Sequence, residues 1–342
     1  MSPDQLQRRR LMQALGSAVA LSSIAGCKLA PDDEPRRRQH RAKSRKRFAS
    51  TAVASKSKNN QLVSLLDQIE PARLTASVAA LAEFGTRWSY SPQLQKAEQW
   101  IHDAFADSGY PAGNIQSLRF NLTPKKSAAN VVCFPDKTDE PFLLVCAHYD
   151  SISEDPQNDA PGADDNASAV AVMLEVARLM RGAFPTRPVM YAAFAGEEQY
   201  LDGSSALACR AKTDQWPIDV LINLDMVGWV DPAKPSTVIV ELDEGWISPG
   251  NDAASKFYGM RMAQAVIDYA LLDVEHANIS SSDYLPFEVI GVPCIGIWDG
   301  ADGDQEFYHS RKDVPTIVNE QRLVQVTKAL LAFVADFTPW HP

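Results

Sequence analysis

Cysteine, histidine and, over most of the chain, cationic side chains are scarce in this 342-residue sequence, which has five Cys, six His and a formal net charge of −10. Each scarcity narrows the function. The charge is unevenly spread: residues 1–60 carry 14 Lys or Arg against four Asp or Glu, a balance of +10, so residues 61–342 carry −20. So acidic a body does not suit nucleic acid as a partner, because phosphates need clustered cations on a folded surface. Beyond Cys27 only Cys133, Cys146, Cys209 and Cys294 remain. All four sit in or beside apolar runs, where a thiol behaves as a small buried hydrophobe, so no disulfide framework is expected. The apolar stretch from Leu11 to Ala25 is too short to span a bilayer, and Gln13, Ser17 and Ser22 weaken it further. No internal repeat is present. What is there, 45% apolar and 22% charged residues, is the composition of a globular enzyme with a large core.

The first 60 residues read as delivery rather than catalysis. Arg8, Arg9 and Arg10 precede the apolar stretch, as in an export signal. The run Ile24-Ala25-Gly26-Cys27 resembles the end of a bacterial lipoprotein signal, in which the cysteine is lipidated and becomes the mature N-terminus; the arginines followed by Leu11 and Met12 also resemble a twin-arginine signal. The expected location is therefore the bacterial cell envelope, lipid-anchored, or the periplasm or medium. Residues 28–60 are basic and poor in large apolar side chains, so they are expected to form a disordered linker, with membrane attachment through Cys27. The catalytic domain is expected to span residues 61–342.

From Gln61 onward helical patterns alternate with short apolar runs. Helices are predicted at about 61–69, 73–84, 91–108, 165–182, 255–271 and 320–337. The runs NVVCF (130–134), FLLVCA (142–147), VMYAAFA (189–195), VLINLDM (220–226), TVIVEL (237–242) and CIGIW (294–298) have no polar alternation, which is the pattern of strands covered on both faces. The fold class expected is α/β: a three-layer α/β/α sandwich with a mixed, largely parallel central sheet.

In such a sheet ligands gather beyond the carboxyl ends of the strands. His148, Tyr149 and Asp150 follow the second run; Glu197 and Glu198 follow the third; Asp225 lies at the end of the fourth; His309 and Asp313 follow the sixth; and the segment PGADDNAS, with Asp164 and Asp165, lies between the first group and a helix. Each group has an ordinary alternative. Asp164 and Asp165 could cap a helix, Glu197-Glu198 could be a surface turn, and either histidine could be structural. Asp225 is the hardest to dismiss, because a carboxylate inside so apolar a run must be paired, hydrogen-bonded or metal-bound. All the alternatives would have to hold together to remove a site. Imidazole and carboxylate without cysteine is the donor set of catalytic zinc. Two histidines and three carboxylates can hold two ions, which polarise a carbonyl and lower the pKa of a water. A further carboxylate is then needed to move the proton, and the paired glutamates can supply both roles.

The ordered motifs AHYDS, PGADDNAS, AFAGEEQYLDGS, NLDMVG, SSDYLPF and YHSRKD resemble the co-catalytic two-zinc aminopeptidase family, over about residues 128–336. The resemblance implies a zinc exopeptidase-like fold, two Zn²⁺ per chain and peptide substrates with a free N-terminus. By motif, Asp164 would be the bridging ligand, His148 and Asp225 would hold one zinc, Glu198 and His309 the other, and Glu197 would be the general acid and base. Asp165 would be a supporting neighbour at the helix start, and Asp150 would orient His148. Asp313 occupies the family's usual Asp. Many relatives carry His where this chain has Tyr284, which is expected to pack beneath its loop. Glutaminyl cyclases resemble the same family, so a zinc acyltransferase that cyclises N-terminal glutamine is the alternative reading.

Overall fold

In a computed structural model, residues 46–47, 60–137, 139–183, 187–245, 248, 250–300 and 305–341 are described. The expected export signal, Cys27 and nearly all of the basic linker lie outside them. Within the linker, Lys46–Arg47 form a short strand, β1, pairing antiparallel with Glu275 and His276, and Asn60 begins the first helix.

The order along the chain is β1, α1 (Asn60–Leu66), α2 (Pro71–Ala82), α3 (Gln93–Asp107), β2 (Ile115–Thr123), β3 (Lys126–Cys133), β4 (Phe142–His148), α4 (Ala169–Arg181), β5 (Val189–Phe194), α5 (Asp202–Thr213), β6 (Ile218–Leu224), β7 (Thr237–Leu242), α6 (Asp252–Ala265), β8 (Asp273–Asn278), α7 (Leu285–Val289), β9 (Cys294–Trp298) and α8 (Glu320–Ala335). The strands form one sheet in the order β1-β8-β7-β9-β6-β4-β5-β3-β2. Its centre, β9-β6-β4-β5, is parallel. Antiparallel pairs flank it, β7 against β9 and β3 against β5, so the sheet is mixed, with four parallel strands at the middle and a further parallel pair, β7 and β8, toward one edge.

The missing alternation has the expected cause. On β4, Leu143, Val145 and Ala147 pack into the core beneath α2, α3, α4, α6 and α8, while Phe142, Leu144 and Cys146 pack into the core beneath α5 and α7. Both sets are fully buried, so strand and helices make three layers. Helix α4 is buried almost all round, Ala169 to Ala177 without interruption, which marks it as a central element. The one acid in that run, Glu175, accepts from Arg178 and from the Glu70 amide.

Register places the chemistry. Ala147 pairs with Ala193 and His148 with Phe194, Cys146 pairs with Asn223, and Leu224 pairs with Ile297. The four parallel strands therefore end at one rim. Strand β6 stops at Leu224, two residues short of expectation, because Met226 turns the chain at φ 50°. Asp225, its amide still bonded to the Ile297 carbonyl, stands at the rim.

Candidate metal centre

Two groups of side chains meet at this rim and share one member. His148 Nε2 lies 3.2 Å from Asp165 Oδ1 and 3.5 Å from Asp225 Oδ1. His309 Nε2 lies 3.2 Å from Asp165 Oδ2 and 3.2 Å from Glu198 Oε2. The two Asp165 oxygens therefore face opposite ways, one toward each group, and each trio offers ligand atoms within 4.8 Å of one another.

This corrects one expectation. Asp164, expected as the bridge, points away: its Oδ1 accepts from the amides of Gly228 (2.8 Å) and Trp229 (3.2 Å). Asp165, expected as a supporting neighbour, stands between the histidines. The reason is local. The segment Ala163–Ser168 is a π-type turn in which Asp165 and Asn166 leave helical geometry, at φ −104°, ψ 86° and φ −138°, ψ 38°. Neither carboxylate caps α4, which starts after Ser168 with no side-chain cap.

The turn is fastened from three sides. Asp313 accepts the amides of Asp164 (Oδ1, 2.7 Å) and Asp165 (Oδ2, 2.9 Å), which gives that residue a place in the site: it holds the turn. Asn166 donates to the Leu224 carbonyl and accepts from the Met226 amide, tying the turn to the end of β6. Ser168 Oγ donates to the Asp164 carbonyl and accepts from the Val227 amide. Burial, with the Asp164 charge next, pushes the Asp313 carboxyl up to about 7.

Asp150 also acts differently from expectation. Its carboxylate stands 3.7 Å from His148 Nδ1, too far for a hydrogen bond; the ring nitrogen faces the Asp150 carbonyl at 3.1 Å instead. The carboxylate accepts from the amides of Glu197 (3.2 Å) and Glu198 (3.3 Å) and from Ser89 Oγ (3.0 Å), so it shapes the loop bearing the paired glutamates. That loop closes into α5 through Tyr200 and Leu201, both at positive φ. His309 is left-handed as well, at φ 50°, and such backbone in non-glycine residues persists where surrounding structure enforces it.

The electrostatics call for positive charge between the carboxylates. Burial works against charge on both imidazoles. Even so, Glu197 first, then Asp150, Asp165 and Asp225, hold His148 well above its ordinary pKa, and Glu198, then Tyr308 and Asp165, do the same for His309. Burial alone would raise the Asp165 carboxyl, but the two rings bonded to it hold it well below the usual carboxylate range. Glu197 behaves oppositely. Its burial, followed by the charges of Glu198, Asp225 and Asp283 against that of His148, raises it well above 4.5.

The residues fit zinc. A tetrahedral ion with bonds of 2.0–2.2 Å places its ligand atoms about 3.3–3.6 Å apart; the four histidine–carboxylate separations here are 3.2–3.5 Å and the remaining pairs lie within 4.8 Å. Three protein donors per ion leave a position open, as in catalytic sites. Glu198 Oε1 is buried without a hydrogen-bond partner, a state a bound cation would relieve.

Several supporting residues were not foreseen from sequence. Ser282 donates to Asp225 Oδ2 at 2.8 Å and accepts from Asn223 at 2.8 Å. Ser89 and the buried Arg87 come from the segment between α2 and α3, in which no motif stands out. Tyr284 is fully buried and donates to Glu241 at 3.0 Å, a packing position beneath its loop. Asp283, also fully buried, is raised to about 7 by burial, against the charge of His148. The four cysteines beyond Cys27 are free.

Comparison with known proteins adds three kinds of likeness. The model of peptidase family M28 matches residues 130–334. A probable zinc metalloprotease of Pyrenophora teres f. teres is 33% identical over 192 residues, covering 50% of this chain but only 41% of that protein, so the chain spans about two fifths of its length. Among solved structures, the Legionella pneumophila LapA aminopeptidase superposes with a TM-score of 0.70 at 17% identity, covering 86% of this chain and 76% of that one. A Bacteroides thetaiotaomicron glutaminyl cyclase bound to N-acetylhistamine does so with 0.66 at 16%, covering 79% and 99%. At these identities the two superpositions establish the fold.

Proposed function

Because the chain belongs to peptidase family M28, we propose that it is a zinc-dependent aminopeptidase, with two zinc ions held by His148, Asp165 and Asp225 and by Asp165, Glu198 and His309. The observation that carries this reading is the Asp165 carboxylate, with one oxygen 3.2 Å from each imidazole. When bound, a zinc pair supplies the Lewis acidity that polarises a peptide carbonyl and makes water nucleophilic at neutral pH.

The chain's own residues do the rest. Glu197 belongs to neither trio yet adjoins Glu198. Its carboxylate takes the proton of the attacking water and hands it to the departing amine nitrogen. A carboxylate whose pKa is raised by burial is a stronger base toward water, and the departing amine, more basic still, takes the proton in turn, so one group can act as base and then as acid. Asp150 holds Glu197 and Glu198 by their amides, so base and ligand move together. Peptides with a free N-terminus are the proposed substrates, by likeness to the LapA aminopeptidase. Delivery to the cell envelope through a lipidated Cys27 is part of the reading, supported by the Ile24-Ala25-Gly26-Cys27 run.

Glutaminyl cyclisation is the second reading, favoured by the superposition on a cyclase over nearly all of its length. One experiment separates the two. The protein is purified without chelator, its zinc is counted, and it is given aminoacyl anilides, their N-acetylated forms and a glutaminyl peptide. The aminopeptidase predicts two zincs and hydrolysis of free-amine substrates alone. Glu197→Gln should lower kcat by 10²-fold or more, about the contribution of a positioned base, with zinc content unchanged. One zinc with pyroglutamate formation would establish the cyclase instead.

A further inference from the structure

Arg87 is distant in sequence from the proposed ligands and is fully buried. Its guanidinium makes four hydrogen bonds, all to main-chain carbonyls: Nε donates to Tyr149 (2.7 Å), Nη1 to Leu81 (3.0 Å) and Pro161 (2.5 Å), and Nη2 to Gly162 (2.7 Å). Tyr149 directly follows His148, and Pro161-Gly162 lead into the turn that carries Asp165. One planar fork thus spans the two segments whose side chains meet at 3.2 Å.

The main chain repeats the link. The Arg87 amide donates to Ser151 Oγ (3.0 Å), the Ser151 amide donates to the Arg87 carbonyl (3.4 Å), and Ser151 Oγ donates to the Ala160 carbonyl (2.7 Å). The junction has no slack. Gly162 sits at φ +53°, where a Cβ would collide with the Asp165 carbonyl, lie 2.5 Å from Ser151 Cβ and 2.9 Å from Arg87 Nη2. Arg87 also faces the charges of Asp313, Asp150, Asp165 and Glu198, so its cation is set against the acid cluster from behind.

We propose that Arg87 is a positioning residue of the metal centre: its fork sets the separation of His148 and Asp165, and with it the geometry and affinity of the ion those residues share with Asp225. The inference rests on the metal-centre reading above. A lysine cannot replace the fork, because an ammonium is a point charge with three donors that cannot serve four carbonyls on three segments.

The test compares wild type with Arg87→Lys in the full chain, loaded with Co²⁺ to read coordination from visible absorption and with Zn²⁺ to read affinity against a competing chelator. Arg87→Lys is expected to weaken zinc binding by about 10- to 100-fold, the usual effect of losing a group that orients ligands, and to change the Co²⁺ spectrum. Arg322→Lys is the control. Arg322 is equally buried and bonded to carbonyls, those of Thr237 and Pro235, so its loss should lower Tm without altering the spectrum. Should Arg87→Lys fail to fold, Ser151→Ala keeps the guanidinium and removes the Ser151 hydroxyl links, and a few-fold loss of affinity with a changed spectrum is expected. Wild-type affinity and spectrum in the folded variant, or the same spectral change in Arg322→Lys, would overturn the positioning role while leaving the metal centre standing. A wild type that binds no zinc would overturn both.

Discussion

Asp164 and Asp165 are identical side chains one position apart, and the structure gives them opposite tasks. Asp165 joins two trios, whereas Asp164 ties two amides of the 228–229 loop. Asp165→Asn should remove both metals, because an amide is a poor bridge between two cations. Asp164→Asn keeps an acceptor for Gly228 and Trp229 and should retain metal; elemental analysis of both variants checks this. Sequence named Asp164 as the bridge and Asp165 as its neighbour, the reverse of the structure's arrangement, since no spacing rule separates neighbours i and i+1 in an irregular turn. Asp202 offers a second residue-scale prediction. Burial, then the Asp150 charge, pushes its carboxyl up to about 7 from 3.8. The folded state therefore binds more protons than the unfolded state between about pH 4 and pH 7, and this group's contribution to stability falls as pH rises through that window. Asp202→Asn should accordingly stabilise the protein at pH 8, by roughly 2 kcal/mol after discounting for partial solvation, and have little effect at pH 4. Urea denaturation at both pH values decides it, and an equal effect at the two would contradict the assignment.

At the scale of elements, α5 is the part on which the glutamate loop depends. Gly203, in its first turn, lies so close to the end of β5 that a Cβ would collide with the Ala195 carbonyl and Asn130 Oδ1. Asn130 in turn donates to the Gly203 carbonyl and accepts from the Ala195 amide. Gly203→Ala should push α5 off the sheet and drag Glu197 and Glu198 with it, costing about 2–4 kcal/mol of stability, the range of severe overpacking, and lowering kcat more than it raises KM. Elements were legible in sequence where burial imposes a pattern. All six apolar runs are strands, because β3, β4, β5, β6, β7 and β9 are covered on both faces. Strand β2 was missed because most of its residues are at least partly exposed, and β8 because DVEHAN is largely charged and polar. Helix α5, with its short DGSSALACRAKT sequence, carries only a narrow apolar stripe.

For the whole molecule, the rim is a concentration of like charge that the fold alone holds together. Asp165, Asp225, Glu197 and Glu198 face two imidazoles, with Arg87 and the amide cradles of Asp150 and Asp313 behind them. Metal bound to the native state only would stabilise it by mass action, about 4 kcal/mol at free zinc 1,000-fold above Kd. Chelation should therefore lower Tm by several degrees, and restored zinc should raise it again; calorimetry with and without chelator reads this. Among the described residues no helix is long and apolar enough to cross a membrane; if Cys27 carries the proposed lipid anchor, Cys27→Ala should release the protein from the membrane fraction. The measurement that bears most directly on the account is zinc per chain, by elemental analysis of protein purified without chelator, for wild type and Asp165→Asn side by side. The account predicts two zincs in wild type and essentially none in the variant. One zinc in wild type, or zinc retained when Asp165 is lost, would contradict a centre in which one carboxylate joins two ions.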